Sequence, residues 1–131
     1  MEIIVDASVL IAVVTNESDK ERLVEMTKEA ELIAPLSVHW EVGNAFSSLL
    51  KRQRITLEQA TQAIESYLEI PLRFVDAELV NSLQLASEMD IYAYDAYLLR
   101  CAEKYRFPLI SLDKRLVQAA KAKGTPVLEV G

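Results

Sequence analysis

Four acidic residues stand where acids are costly. Asp6 closes the apolar run of "MEIIVDASVL", in which Ile3, Ile4 and Val5 read as a short buried strand, and Asp113 lies two residues beyond Ser111 at the end of a second such run, "FPLISLD". Asp95, in "AYDAYLLRCAEKY", has Leu98, Leu99 and Ala102 at i+3, i+4 and i+7, so its carboxylate falls in the middle of a helix's apolar stripe. Glu41 sits four residues before Ala45 and eight before Leu49, on the edge of another buried stripe, with Asn44 one turn on. Several carboxylates brought within a few ångströms raise one another's pKa values, and a divalent cation is the usual relief. All-oxygen ligands favour Mg²⁺ or Mn²⁺ over zinc. Ser8 and Ser111, each two residues from one of these aspartates, and Asn44 beside Glu41 are candidates to orient the carboxylates or bound water. The other acids mostly have ordinary explanations: Asp19 and Asp76 as helix caps, Glu21, Glu25 and Glu29 on one solvated face, Glu58, Glu65 and Glu69 on another.

Positioning these residues is the work of an alternating chain. The strand "EIIV" is followed by helices over "SVLIAVVT" and "SDKERLVEMTKEA", the latter capped by Ser18 or Asp19. "ELIAP" is a strand, "SVHWEVGNAFSSLLKRQR" a helix, and "TLEQATQAIESYLE" a helix opening at Thr56. "LRFV" is a strand, "DAELVNSLQLASEM" a helix capped by Asp76, "AYDAYLLRCAEKY" a helix, and "FPLISLD" a strand. "KRLVQAAKAKG" is a helix closed by Gly124, and "PVLEV" a last short strand. Strands apolar on both faces, alternating with helices, predict a three-layer α/β/α sandwich around a mostly parallel sheet of four or five short strands. Right-handed crossovers put the carboxyl ends of such strands on one edge, where ligands bind near the switch in strand order. Asp6 and Asp113 are expected to open onto that edge.

The composition narrows the class. A length of 131 residues suits one domain, residues 1–131, large enough to fold without a metal or disulfide staple. The single cysteine, Cys101, excludes an internal disulfide framework and points to a reducing compartment. The strand starts at the second residue, leaving no room for a signal peptide ahead of it, and the longest apolar run is too short to span a membrane. A cytoplasmic protein with no membrane partner is expected. The formal net charge of −6 argues against a broad nucleic-acid-binding surface, although bound cations can reverse the local sign at a carboxylate site.

Four motifs in order, "IIVDASVL", "EVGN", "YDAYLLRCA" and "ISLDKRL", resemble the PIN-domain ribonucleases, and their spacing looks like the VapC-like toxin branch over essentially the whole chain. That resemblance implies that Asp6, Glu41, Asp95 and Asp113 form the catalytic quartet holding Mg²⁺ or Mn²⁺, accompanied by Ser8 and Asn44. It implies metal-assisted hydrolysis of phosphodiester bonds in single-stranded RNA, with metal-activated water as nucleophile and no nucleophilic side chain. It further implies a homodimer and a cognate antitoxin whose tail covers the site. Where the family often has threonine, Ser111 keeps the hydroxyl. The net acidity of the chain is a departure that bears on the RNA-binding surface.

Competing chemistries fit less well. With one histidine, His39, a histidine acid–base pair is impossible and a zinc site would need unusual ligands; His39 reads as structural or surface. Three glycines cannot build a phosphate-cradling loop. A phosphoaspartyl phosphatase would place a second acid where Ser8 stands, and a phosphoacceptor signalling domain would need an acidic pair before the first helix. The remaining rival is a non-catalytic module of the same fold, with a structural or vestigial metal site. Lys51, Arg52, Arg54, Arg100 and Lys114 are the expected phosphate contacts, although a solvated surface is the ordinary reading of any one of them. Trp40, Phe46, Leu50 and Leu68 extend the apolar surface of two successive helices beyond one narrow stripe, which suits either a helical hairpin with an outward interface or packing on the sheet and on each other.

Overall fold

A computed structural model describes residues 1–131. The elements run β1 (Glu2–Val5), α1 (Ala7–Val14), α2 (Lys20–Thr27), β2 (Glu31–Pro35), α3 (Ser37–Lys51), α4 (Leu57–Leu68), β3 (Leu72–Val75), α5 (Leu79–Met89), α6 (Ala93–Tyr105), β4 (Leu109–Ile110) and α7 (Lys114–Ala122). The strands form one parallel sheet in the order β3-β2-β1-β4. Ile3, Ile4 and Val5 of β1 are wholly buried, as are Leu109 and Ile110 of β4. Burial of consecutive side chains means both faces are covered, the normal state of a parallel sheet. α1, α3 and α4 pack on one another, α5 packs on α6, and α3 and α6 lie against β2, giving an α/β sandwich. β3 is an edge strand, and its Arg73 pairs with Glu31 of the neighbouring β2 at 2.9 Å.

The strand order creates a topological switch point. β1 lies between β2 and β4, so the chain leaves it in one direction and returns on its other side. The carboxyl ends of β1 and β4 flank that switch point, and Asp6 and Asp113 follow them directly or closely.

Several boundaries differ from the sequence expectation. The last segment forms no strand: it makes only one parallel bridge, Leu109 to Val127, and the sheet has four strands. Asp76 does not cap α5, which starts at Leu79 after Glu78. Glu78 is fixed there by distant partners, Arg100 at 3.1 Å and Lys104 at 3.2 Å, so a tertiary ion pair sets the helix start. α2 begins after Asp19, whose side chain makes no cap bond. α3 ends at Lys51, and Gln53 follows with a left-handed φ of 57°. Other expectations hold: α4 opens at Thr56, where the structure adds a reciprocal capping box with Gln59, and Gly124, at φ 80°, closes α7.

Candidate active site

Asp6 is 5 % exposed and is the best-connected acid of the molecule. The Ser8 hydroxyl donates to its Oδ1 at 2.6 Å and the Ser111 hydroxyl to its Oδ2 at 2.6 Å, while the Val9 amide reaches Oδ1 at 3.3 Å and makes Asp6 the N-cap of α1. Each serine also accepts an amide proton from the segment after β4: Leu112 N to Ser8 Oγ at 3.0 Å, and Asp113 N to Ser111 Oγ at 2.9 Å. Two hydroxyls thus join the end of β1 to the loop that carries Asp113. Asp113 caps α7, accepting from Arg115 N at 2.9 Å and Leu116 N at 3.5 Å through Oδ1.

The four acids feel one another. Burial raises the Asp6 pKa against the pull of its hydrogen bonds, and Asp113 raises it further. Burial and then the charges of Asp6, Asp95 and Asp113 lift Glu41 to about 7. Burial and Asp113 raise Asp95, with Arg115 opposing. Their carriers are the end of β1, the second turn of α3, the first turn of α6 and the N-cap of α7, so the fold gathers acids from four separate parts of the chain. The sequence placed Asp95 among apolar neighbours for good reason: Leu98, Leu99 and Ala102 are all buried.

None of the seven salt bridges involves Asp6, Glu41, Asp95 or Asp113. Glu41 Oε1 is buried with no hydrogen-bond partner, an orphaned acceptor of the kind a cation satisfies. The donor set is all carboxylate oxygen, which suits Mg²⁺ or Mn²⁺. No three of the chain's acidic, histidine or cysteine side chains close to ligating distance of a common point, so the acids form an open cluster rather than a finished cage. They fit a divalent cation in charge and donor chemistry.

The remaining candidates divide. Ser8 and Ser111 touch Asp6 as described; Asn44 is exposed one turn beyond Glu41. Lys51, Arg52, Arg54 and Lys114 are exposed. Arg100 differs from these: it is 16 % exposed, it donates to Glu78 at 3.1 and 3.3 Å and to Glu103 at 3.0 Å, and its guanidinium holds α6 to the start of α5. His39 bonds the Tyr67 hydroxyl at 3.0 Å between the rings of Trp40 and Phe74, a structural role. Cys101 is a buried thiol pushed up to about 12 by burial. Of the expected hairpin residues, Phe46 is core, while Trp40 and Leu68 remain exposed. Sequence reasoning missed Arg115, which lines a cavity with Asp95; its spacing from Asp113 was visible, but its approach to α6 is a product of packing.

The PIN domain family model matches residues 3–122. The chain is 25% identical to Ribonuclease VapC3 of Pyrobaculum aerophilum over 131 residues, spanning 96% of this chain and all of that one. The crystal structure of PAE2754 from Pyrobaculum aerophilum superposes with a TM-score of 0.76 at 21% identity, covering 99% of this chain and 91% of that chain. A toxin–antitoxin complex from Klebsiella pneumoniae contains a chain similar in fold, with a TM-score of 0.67 at 15% identity and 98% of both chains covered.

Proposed function

The chain belongs to the PIN domain family, and from that premise we propose that it is a divalent-metal-dependent endoribonuclease acting on single-stranded RNA, the toxin of a toxin–antitoxin pair. The observation that carries this reading is the gathering of four acids without a salt bridge, three of them with raised pKa values, at the switch point of a parallel sheet. Residues 1–131 are taken as one catalytic domain. Its resemblance to Ribonuclease VapC3 supports RNA as the substrate, and its likeness to a chain of a toxin–antitoxin complex supports an antitoxin partner.

Asp6, Glu41, Asp95 and Asp113 would hold Mg²⁺ or Mn²⁺. A cation held there supplies an activated water and offsets charge on the phosphate. Ser8 and Ser111 fix the Asp6 carboxylate by donating to both its oxygens, which keeps it from turning away as its neighbours change protonation. Lys51, Arg52, Arg54 and Lys114 are proposed phosphate contacts; Lys51 lies ten residues past Glu41, about 15 Å along the same helix. Exposed Trp40 and Leu68 support a homodimer.

The open arrangement of the acids also suits a second reading, a non-catalytic binding module whose metal site is structural or vestigial. One assay separates them. Labelled single-stranded RNA should be cut by the parent chain in Mn²⁺, not in EDTA, and not by Asp6→Asn or Asp95→Asn purified alongside. Equal cutting by parent and variants would assign the activity to a contaminant, and no cutting by the parent would favour the binding module.

A further inference from the structure

A cavity of about 540 Å³ opens beside the acid cluster and shares Asp95 with it. Its volume lies within the ~300–1,000 Å³ of typical small-molecule sites. Tyr92, immediately before α6, stands at its rim 75 % exposed, and its ring packs on no other aromatic ring. Arg115 faces the same space from α7 and makes no salt bridge. Gln118, three residues further along α7, adds an amide that can both donate and accept, and Ile91 gives the wall an apolar patch.

This combination suits one kind of occupant. Two carboxylates, Asp90 and Asp95, line the cavity against one guanidinium, so a bare polyanion is disfavoured inside it. A flat, uncharged base is not, and a free tyrosine ring beside an apolar wall is the platform on which unstacked bases pack. Arg115 then matches a single phosphate at the edge nearest the acids.

We infer that this cavity is a subsite for one nucleotide of a single-stranded RNA, adjoining the cleaved phosphate, with Tyr92 stacking on its base and Arg115 contacting its phosphate. The inference rests on the ribonuclease reading for its substrate class and gives the acid cluster a direction along which the strand is held. Tyr92 and Arg115 act in positioning, and Gln118 is placed to read the base edge.

The test is binding of a short fluorescein-labelled single-stranded RNA, followed by anisotropy with Ca²⁺ present to offset the acid cluster. Parent, Tyr92→Phe, Tyr92→Leu, Arg115→Gln and Gln118→Ala are compared, each with its melting temperature. Tyr92→Leu should weaken binding about tenfold and Tyr92→Phe should restore it, since the ring rather than the hydroxyl stacks. Arg115→Gln should lower the slope of log affinity against log salt by about 0.7, one single-strand phosphate. The same RNA paired into a duplex should show no dependence on Tyr92. Unchanged binding and salt slope in Tyr92→Leu and Arg115→Gln overturns the subsite, as does a parent that binds no single-stranded RNA. Tyr92-dependent binding without cleavage in Mn²⁺ supports the subsite while removing the nuclease; cleavage with Tyr92-independent binding does the reverse.

Discussion

Ser111 donates its hydroxyl proton to Asp6 at 2.6 Å, joining residues 105 positions apart and closing the switch point between β1 and β4. The same oxygen accepts from the Asp113 amide at 2.9 Å, so one side chain sets the distance between two of the four acids. Ser111→Ala leaves a buried carboxylate oxygen without its donor, and the expected cost is about 1–3 kcal/mol in unfolding free energy. Mn²⁺ affinity should fall by about 10- to 100-fold, the usual effect of removing a residue that orients a ligand. Ser111→Thr keeps the hydroxyl and should restore most of both. Chemical denaturation and metal titration of the two variants check this; an alanine variant equal to the parent would mean that the bond does not position Asp6.

Glu41 fixes the sign of the pH dependence. Its pKa is lifted from an ordinary 4.5 to about 7 by burial first and by its acidic neighbours second. Below the unfolded value both states keep the proton and its contribution to stability is fully present. As pH rises from about 4.5 to about 7 the unfolded chain ionises while the folded group stays protonated, so stability is lost across that window. Asp6 and Asp95 are shifted in the same direction and add to the loss. Glu78 is held down to about 2, chiefly by its bond from Arg100, and what it contributes is lost only in more acid solution, as pH falls from about 4.5 through about 2. The melting temperature of the metal-free chain should therefore fall as pH climbs through the window. Glu41→Gln should flatten that fall and melt higher near neutral pH without metal. It should also lose most of the gain on adding Mn²⁺. A metal-free melting temperature that rises over the same window would contradict the raised pKa.

The cationic side chains separate into two roles. Alanine at Lys51, Arg52, Arg54 or Lys114 should leave stability nearly unchanged, because each is exposed and none makes a salt bridge. Each that touches phosphate should lower the salt slope of RNA binding by about 0.7. Arg100→Ala should do the opposite: it removes the ion pairs to Glu78 and Glu103, destabilises the α5–α6 pair and leaves the salt slope alone. Filter binding over a salt series, with a thermal melt of each variant, distinguishes them.

Trp40 is 66 % exposed and meets His39 edge-to-face, a large apolar ring left in water by the monomer. Sedimentation at micromolar concentration should report a dimer, and Trp40→Glu should shift it to monomer with its melting temperature retained. A monomeric parent chain would remove the dimer.

What the sequence could show follows from how local each signal is. Asp6 and Asp113 were legible because an acid ending an apolar run is visible in the run itself, and Asp95 because three buried neighbours repeat at helical spacing. Their convergence was legible only through topology, since parallel strands bring their carboxyl ends to one edge. Asp76 carries the stronger local capping signal, yet Glu78 takes the place, held by Arg100 and Lys104, partners more than twenty residues away. The final strand failed because "PVLEV" finds only two backbone bonds to Leu109, too few for a ladder. Arg100 looked like any basic residue on a helix, and the acids that occupy it lie on its own helix and at the start of another. Arg115 and Tyr92 come together with Asp95 only when α6 and α7 have packed, which no spacing along the chain reports.

Calorimetric titration of Mn²⁺ into the metal-free chain near neutral pH bears most directly on the claim that convergent carboxylates hold a divalent cation. The expected result is saturable binding with proton release, because Glu41 is still partly protonated near its pKa of about 7, and loss of that binding in Asp6→Asn and Asp95→Asn. No saturable binding by the parent, or equal affinity in the two variants, would contradict it.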